Sequence, residues 1–228
     1  MIDSTPVDQA ITSRRSIRAF LPTPVSDATV SDIIRVAQRA PSGTNTQPWQ
    51  AYALSGAALK GVCDEVTAAY GNAELSTTLK EEYAYYPTSW KSPFIDRRRK
   101  VGWDLYGILG LTKDNKAGMA AQHAKNYSFF DAPVGLFFTI DRIMGQGSWL
   151  DYGMFLQNVM VAARARGLDT CAQAAWTQYH SIIAKHLNLP PEQMLVCGMA
   201  LGYADHSKPE NALVTDREPV ETALTFLK

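Results

Sequence analysis

Three arginines surround a serine in the segment RRSIR, residues 14–18. A guanidinium stays charged and presents bidentate donors in a rigid fork, so the arginines and the serine hydroxyl could together grip a phosphate. The same arginines would also be stable as the solvated basic end of a helix, because the helix dipole favours cations there. The segment alone leaves both interpretations open. The candidate phosphate ligands are Arg14, Arg15, Ser16 and Arg18.

A second candidate binding segment is the loop PSGTNTQPW, residues 41–49. Gly43 permits a ligand to approach the backbone closely, while Ser42 and Asn45 offer side-chain hydrogen bonds. The pair Pro48-Trp49 stiffens the exit from the loop. Taken alone, the loop is equally typical of an ordinary connecting turn.

The sequence matches poorly the motifs of serine hydrolases, metal sites and dinucleotide-binding proteins. Ser42 lies in PSGTN rather than in G-x-S-x-G, which disfavours a serine hydrolase. His180 and His186 are six residues apart and would not share a helical face, so we expect no metal site. Residues 145–147 (GQG) lack the third glycine of a dinucleotide fingerprint. We therefore predict no dedicated catalytic side chain and no resident dinucleotide.

The composition is typical of a globular protein, with 46% hydrophobic and 19% charged residues. Lys+Arg and Asp+Glu balance at 22 each, so no global field would attract nucleic acid or an anionic membrane. Cys63, Cys171 and Cys197 share no metal-ligand spacing and suit reduced core thiols. With no basic-then-apolar N-terminal stretch and no membrane-spanning run, we expect a cytoplasmic protein and a single domain over 1–228.

Local signals place these segments on regular elements. Thr5 with the following Pro6 predicts a helix through residue 13, which puts the arginines at its C-terminal end. A second helix is predicted over 30–37, before Pro41. The predicted strands of a central sheet are 50–55, 134–141 and 195–203. A helix over 150–166 is apolar nearly all round, followed by Gly167, and should be buried centrally or in an oligomer interface.

Residues 73–117, which we call the lid segment, are rich in Tyr, Trp, Lys and Arg and contain few sheet-like runs. The simplest interpretation is a helical flap whose aromatic side chains pack on the core. Collectively, its rings could instead wall a slot in which an aromatic substrate stacks. The candidate substrate contacts are Tyr86, Trp90 and Phe94, with Tyr83 and Tyr85 nearby.

Four segments in this order resemble the FMN-dependent nitroreductase family: RRSIRAF, APSGTNTQPW, GLDTCAQAAW and GYADHSKPENALVTDREP. The resemblance covers nearly the whole chain. It implies an α+β, nitroreductase-like fold in which a central mixed β-sheet is flanked by helices. It also implies a domain-swapped homodimer that exchanges C-terminal segments, with two FMN sites at the subunit interface.

The resemblance also assigns roles residue by residue. Arg14 and Arg15 would bind the FMN phosphate, while Ser16 and Arg18 would reach the ribityl chain and the pyrimidine edge. Four residues would reach FMN from the partner subunit: Pro41, Ser42, Gly43 and Asn45. The segment Ala172-Gln173-Ala174 would face the flavin N5 and O4, and Arg217 would be a second phosphate ligand. The family often has a lysine just before that arginine, where Thr215 or Asp216 stands here.

The predicted function is an FMN-containing oxidoreductase that takes hydride from NADH or NADPH and reduces nitroaromatic compounds, from nitro to nitroso to hydroxylamine, by a ping-pong mechanism. Quinones are possible second substrates. The flavin carries the redox chemistry, so the protein has to supply a phosphate clamp, a cation near N1/O2 and a flat slot.

Three alternatives stay open. Two are activities of the same fold: reductive dehalogenation of a halotyrosine-like aromatic and oxygen-dependent flavin fragmentation. The third is from a different functional class, a non-catalytic flavin-binding or storage protein. Glu82 and Tyr86 are one helical turn apart and could help to grip a zwitterion, but no lysine partner is evident.

Overall fold

The computed structural model describes residues 5–228. The α-helices in that range are α1 (Pro6–Ser13), α2 (Asp27–Ala37), α3 (Gly56–Gly71), α4 (Ala73–Thr78), α5 (Phe94–Ile108), α6 (Lys116–Ala124), α7 (Gln146–Arg164) and α8 (His180–Leu187). The strands are β1 (Trp49–Leu54), β2 (Val134–Asp141), β3 (Asp169–Gln173) and β4 (Gln193–Gly202). Short 3₁₀ segments join several of these elements.

The four strands form one sheet in the order β1-β2-β4-β3, and each neighbouring pair is antiparallel. The predicted mixed sheet is therefore corrected to an antiparallel one. Within residues 5–228, parallel pairing is confined to an isolated bridge between Ser16 and Thr170 outside the named strands. The apolar runs indicated where strands lie but not their direction, because a helical connection can return the chain to either end of a sheet.

Helices cover both faces of the sheet. On one face, α3, α8 and the turn after β3 enclose a core that includes Tyr127, Phe137 and Trp176. On the other face, α2 and α7 enclose a second core that includes Phe138 and Phe155. Every residue of β2 but the last is buried, as expected for a strand covered on both faces.

Several predicted elements are confirmed. Thr5 and Asp8 form a capping box at the start of α1, and β2 has the predicted bounds. The long helix begins at Gln146, four residues before the predicted start, and Gly167 follows it with a φ of 73°. Its outer side is uncovered in the single chain, where Leu150 is 74% exposed.

The lid segment consists of α4, an irregular stretch over residues 79–93 that we call the lid loop, α5 and the start of α6. The lid loop contains no helix, so the helical spacing expected of Glu82 and Tyr86 is wrong. Pro87 and Pro93 lie in this stretch, and proline disfavours helical conformation in the residue before it.

A close backbone approach fixes the turn that follows β3. Trp176 is fully buried, and its Cδ1 would lie 2.4 Å from a Cβ atom built on Gly198 of β4. Phe129 stacks on the indole at 4.3 Å, and Phe137 meets it edge-on at 5.1 Å. Glycine at position 198 is therefore required for the indole of Trp176 to lie flat against β4. Trp176 follows Ala174 by two residues, so this contact also fixes the turn after β3.

Among residues 5–228, no helix is both long and apolar enough to cross a membrane.

Candidate functional site

The arginine segment runs alongside the edge strand β3. Ile17 donates its backbone N–H to the carbonyl of Thr170 at 3.1 Å, next to the parallel bridge formed by Ser16. On its other side, the backbone N–H of Arg18 donates to the amide oxygen of Asn211 at 2.7 Å. These contacts hold residues 16–18 extended beside the strand that carries Ala172 and Gln173.

The guanidinium groups of this segment have no carboxylate partner in the described part of the chain. Arg14, Arg15 and Arg18 form no ion pair there, whereas Arg142 and Arg164 pair with Glu82 and Asp169. Burial raises the pKa of the nearby Cys171 thiol, although the charges of Arg18 and Arg14 and a hydrogen bond with Ser16 oppose the shift. Uncompensated positive charge beside β3 suits an anionic ligand.

Arg18 lines a cavity of about 410 Å³, whereas Arg14, Arg15 and Ser16 are not among its lining residues. Arg18 and Cys171 lie on one side, and the segment Ala172-Gln173-Ala174 forms part of its wall. The other lining residues are Glu81, Tyr86, Leu105, Tyr106, Gln122, His123, Asn126, Tyr127, Phe130, Ala175 and Gln178. We call it the arginine cavity. The structure thus brings together Arg18 and the backbone segment expected to face a flavin.

Two buried polar atoms beside the arginine cavity lack a partner within residues 5–228: Nε2 of Gln122 and Oε1 of Gln173. The Gln173 side chain is held by Asn126, since Nε2 donates to the backbone oxygen at 2.8 Å and to Oδ1 at 3.1 Å. Buried donors and acceptors are normally satisfied. A ligand with both carbonyl and N–H groups along one edge, such as the pyrimidine ring of a flavin, fits this donor set and the Arg18 cation.

The segment Ala172-Gln173-Ala174 also borders a second cavity, of about 220 Å³. Ala172 is the one exposed residue of β3. The second cavity is lined mainly by apolar groups, among them Tyr83, Trp149, Leu156 and Cys197. We call it the apolar cavity. The end of β3 therefore borders both the arginine cavity and the apolar cavity.

The PSGTN loop lies apart from the arginine segment within the chain and lines neither cavity. The N–H of Gly43 donates to Asp151 of α7 at 3.0 Å, and Ser42 Oγ accepts from the N–H of Gln47 at 3.0 Å. Asn45 has a φ of 62° and is exposed, as is Pro41. The loop is an ordered, outward-facing turn, so its predicted role toward a partner's FMN stays a prediction.

Arg217 does not line the arginine cavity. Its guanidinium donates to the backbone oxygen of Asp216 at 2.8 Å and to the hydroxyl of Thr215 at 2.9 Å. The surrounding tail lies on α5, where Glu218 pairs with Arg97 at 2.9 Å. Its predicted phosphate contact stays a prediction.

Two of the three predicted substrate contacts form one aromatic cluster. Tyr86 lines the arginine cavity, and its ring lies 5.6 Å from that of Trp90. The guanidinium of Arg98 covers both rings, at 5.4 Å and 5.0 Å from their centroids. Phe94, in the first turn of α5, is 53% exposed and lines neither cavity.

Sequence reasoning missed the residues that attach the lid loop. The Glu82 carboxylate contacts Arg142 at 2.6 Å and His180 at 3.2 Å, so it does not face the arginine cavity as a ligand-gripping group. It also missed the contribution of α6, where Gln122 and His123 line the cavity, and burial lowers the pKa of His123. No local motif marks these residues, because their role depends on contacts with distant parts of the chain.

Comparison with known proteins identifies the family to which this α+β fold belongs. The model of the nitroreductase family matches residues 11–203. The chain belongs to the nitroreductase family.

Curated relatives and solved structures support this membership over the full length. The chain is 40% identical over 221 residues to the nitrobenzene nitroreductase of Ectopseudomonas oleovorans, covering 97% of this chain and 96% of the relative. It is 40% identical over 220 residues to the 4-nitrobenzoate reductase of Pseudomonas putida, covering 96% and 95%. The crystal structure of the FMN and NADPH-dependent nitroreductase NfnB from Sphigopyxis sp. strain HMH superposes with a TM-score of 0.92, at 39% identity and with 97% and 99% coverage.

Proposed function

We propose that the protein is an FMN-containing, NAD(P)H-dependent reductase of nitroaromatic compounds. The observation that carries the proposal is the unpaired arginine segment, held against β3 beside the arginine cavity, in a chain of this family. When bound, FMN supplies two-electron chemistry, accepting hydride from the nicotinamide and passing it to a nitro group in a ping-pong cycle. NADH and NADPH are both candidate donors.

The residues beside β3 bind and orient the cofactor. Arg14 and Arg15 would hold the phosphate through charged hydrogen bonds, and Ser16 would reach the ribityl chain. Arg18, which lines the arginine cavity, would meet the N1/O2 edge, where its permanent charge would stabilise the negative charge that develops on reduction. The backbone of residues 172–174 would face the flavin N5 and O4, and the buried amide of Gln173 fixes that backbone through Asn126.

The lid aromatics bind the substrate. A nitroarene offers mainly its π-face, so Tyr86, supported by Trp90, covers the ring of the substrate from the lid side. Phe94 is placed to contribute only if α5 moves toward the cavity or a partner chain approaches. Protons for the steps from nitro to nitroso to hydroxylamine come from solvent. A quinone, being flat and similarly poor in polar groups, would bind in the same slot.

The commitment of Glu82 to Arg142 and His180 disfavours the dehalogenase alternative, because the carboxylate needed to grip a zwitterion is already paired.

We also propose a homodimer. Pro41, Ser42, Gly43 and Asn45 form an outward-facing turn attached to α7, which suits contact with the FMN of a partner subunit. The exposed Leu150 on α7 and the apolar tail residues, with Phe226 at 77% exposure, would be covered by the second chain. In that assembly Arg217 is available to the phosphate of a site other than its own. Because the three thiols are free and the donor is a cellular nicotinamide, we place the protein in the cytoplasm.

The test starts from purified protein, its bound flavin and a panel of nitroarenes and quinones assayed by nicotinamide oxidation. Yellow protein with one FMN per subunit that reduces nitrobenzene or 4-nitrobenzoate is the expected result. Arg14→Ala should weaken FMN binding about 10- to 150-fold, corresponding to about 1.5–3 kcal/mol for a charged hydrogen bond. Arg35→Ala, which removes an exposed surface pair, is the matched control. Colourless protein that takes up no added FMN would refute the proposal.

A further inference from the structure

We propose that Glu82 is a positioning residue, whose carboxylate, clamped between Arg142 and His180, holds Tyr86 at the arginine cavity before any substrate arrives. The inference rests on the proposed function for its kinetic consequence, but the clamp itself is tested without turnover. We call the contact of Glu82 with Arg142 and His180 the lid clamp.

Two side chains contact the Glu82 carboxylate in the lid clamp. Nη2 of Arg142 lies 2.6 Å from one carboxylate oxygen of Glu82, and Nδ1 of His180 lies 3.2 Å from the other. The Glu82 side chain is 16% exposed. Arg142 is fixed in turn, because its Nε donates to the carbonyl of Pro191 at 2.7 Å and its Nη2 to that of Gln193 at 3.1 Å. The clamp therefore joins the lid loop to the backbone at the start of β4.

Neighbouring contacts fix the same half of the lid loop. Glu81 accepts a hydrogen bond from the hydroxyl of Thr177 at 3.1 Å. The hydroxyl of Tyr83 donates to the carbonyl of Val196, and the Tyr83 ring packs on Trp149 at 4.6 Å. Burial raises the pKa of Tyr83 well above its usual value, which keeps this donor protonated. Residues 81–83 are thus held by β4, by the turn after β3 and by α7.

The following half of the lid loop is held differently. Tyr85 and Tyr86 are 52% and 53% exposed, and their described contacts are aromatic, at 4.7 Å between the two rings and 5.6 Å from Tyr86 to Trp90. Tyr86 follows Glu82 by four residues, so the path of the anchored half determines where the Tyr86 ring lies. Arg98 on α5 stacks on Tyr86 and Trp90, but it does not join them to the sheet.

A lid that is anchored in advance suits a particular class of substrate. A neutral nitroarene such as nitrobenzene has no charged group with which to draw a lid closed, so the cost of ordering the lid has to be met by the protein. The lid clamp supplies that ordering through residues that do not touch the substrate. The resulting expectation is a reductase that accepts nitroarenes without any ionic substituent.

The experiment compares Glu82→Ala with Glu65→Ala. Glu65 is a matched control, because it also contacts a histidine, His186, at 2.7 Å, but on α3 and away from the lid loop. The holoenzyme is used throughout, and three quantities are measured: kcat and KM for nitrobenzene, the rate of flavin reduction by NADPH in stopped flow, and the rate of tryptic cleavage after Lys91 in the lid loop.

In Glu82→Ala we expect KM for nitrobenzene to rise about tenfold, since apparent affinity falls in proportion to the fraction of molecules with a correctly placed lid. kcat and flavin reduction should change less than about twofold, while cleavage after Lys91 should accelerate about tenfold. Glu82→Gln, which retains an acceptor for Arg142, should lie between wild type and Glu82→Ala. Glu65→Ala should match wild type in all three measurements.

Unchanged KM and unchanged cleavage in Glu82→Ala would overturn the inference, as would an equal loss in flavin reduction and nitroarene reduction at constant KM. If Glu82→Ala does not fold, Arg142→Met removes the same contact from the other side and carries the same expectations. A wild-type protein that reduces no nitroarene would refute the proposed function, while the proteolysis comparison would still decide whether the clamp positions the lid loop.

Discussion

Replacing Gly198 by alanine should be among the most damaging single-methyl additions to this protein. A Cβ atom at this position would lie 2.4 Å from Cδ1 and 2.9 Å from Nε1 of Trp176. Ordinary contact requires about 3.4 Å or more, so the indole or β4 would have to shift by about 1 Å. The indole has little freedom to do so, because it is fully buried and Phe129 stacks on it at 4.3 Å.

Overpacking of this kind costs about 1–3 kcal/mol, and the caged indole places Gly198→Ala near the upper end of that range. For a chain of this length, a loss of about 3 kcal/mol lowers the melting temperature by roughly 6–12 °C. Since Trp176 follows Ala174 by two residues, the shift should also reach the backbone of residues 172–174, which we propose faces FMN, and weaken FMN binding. Urea denaturation of the apoprotein and FMN titration of the folded variant measure the two effects separately.

Gly71→Ala is the control, because a Cβ atom at that helical position meets nothing within 4 Å. Alanine there should be neutral or stabilising by up to about 1 kcal/mol, since alanine favours helix over glycine. If Gly198→Ala lowers the free energy of unfolding by less than about 0.5 kcal/mol and binds FMN normally, the contact between Trp176 and β4 does not fix the turn, and the reasoning is wrong.

Three further outcomes are expected. Trp90→Ala should raise KM for nitroarenes about 2- to 12-fold, corresponding to about 0.5–1.5 kcal/mol of ring contact, with less effect on a compact quinone and none on flavin reduction; equal losses in both half-reactions would show a purely structural lid. Asn211→Ala should lower the free energy of unfolding by about 2–3 kcal/mol, measured with urea, because the N–H of Arg18 and the carbonyl of Ala19 lose their buried partner; a change below about 0.5 kcal/mol would contradict this. Burial raises the pKa of Cys63 and of Cys197 to about 12, so both thiols stay protonated at pH 8 and iodoacetamide should modify them only slowly until urea unfolds the chain; rapid labelling of the native protein at pH 8 would refute the burial argument.

The elements that were predictable from the sequence are those with local causes. The start of α1 depends on Thr5 and Asp8, which lie within one turn and satisfy each other's backbone donors. The bounds of β2 follow from a continuous apolar run that only a doubly covered strand explains. The arginine segment and residues 172–174 were assigned to one site by resemblance, and the structure places Arg18 and that segment at one cavity.

The elements that could not be predicted depend on distant parts of the chain. β3 is five residues long, and its polar and apolar residues alternate too little to distinguish it from a turn. Its strand conformation is set by pairing with β4. The antiparallel sheet order reflects how whole helices connect the strands. Glu82 lies 60 residues from Arg142 in sequence, so its contact leaves no periodic signal. A local helical interpretation of the lid loop was therefore attractive and wrong.

Asn211 makes the arginine segment dependent on the far end of the chain. Its side chain is buried, accepts from the N–H of Arg18, and donates to the carbonyls of Ala19 and Asp205. During synthesis, Arg18 leaves the ribosome 193 residues before Asn211, whose side chain accepts the backbone N–H of Arg18. At about 5–20 residues per second, the delay is about 10–40 s. Until Asn211 is synthesised, the arginine segment of the nascent chain therefore lacks this hydrogen bond, and if the segment binds FMN as proposed, we expect FMN to be acquired only after that point.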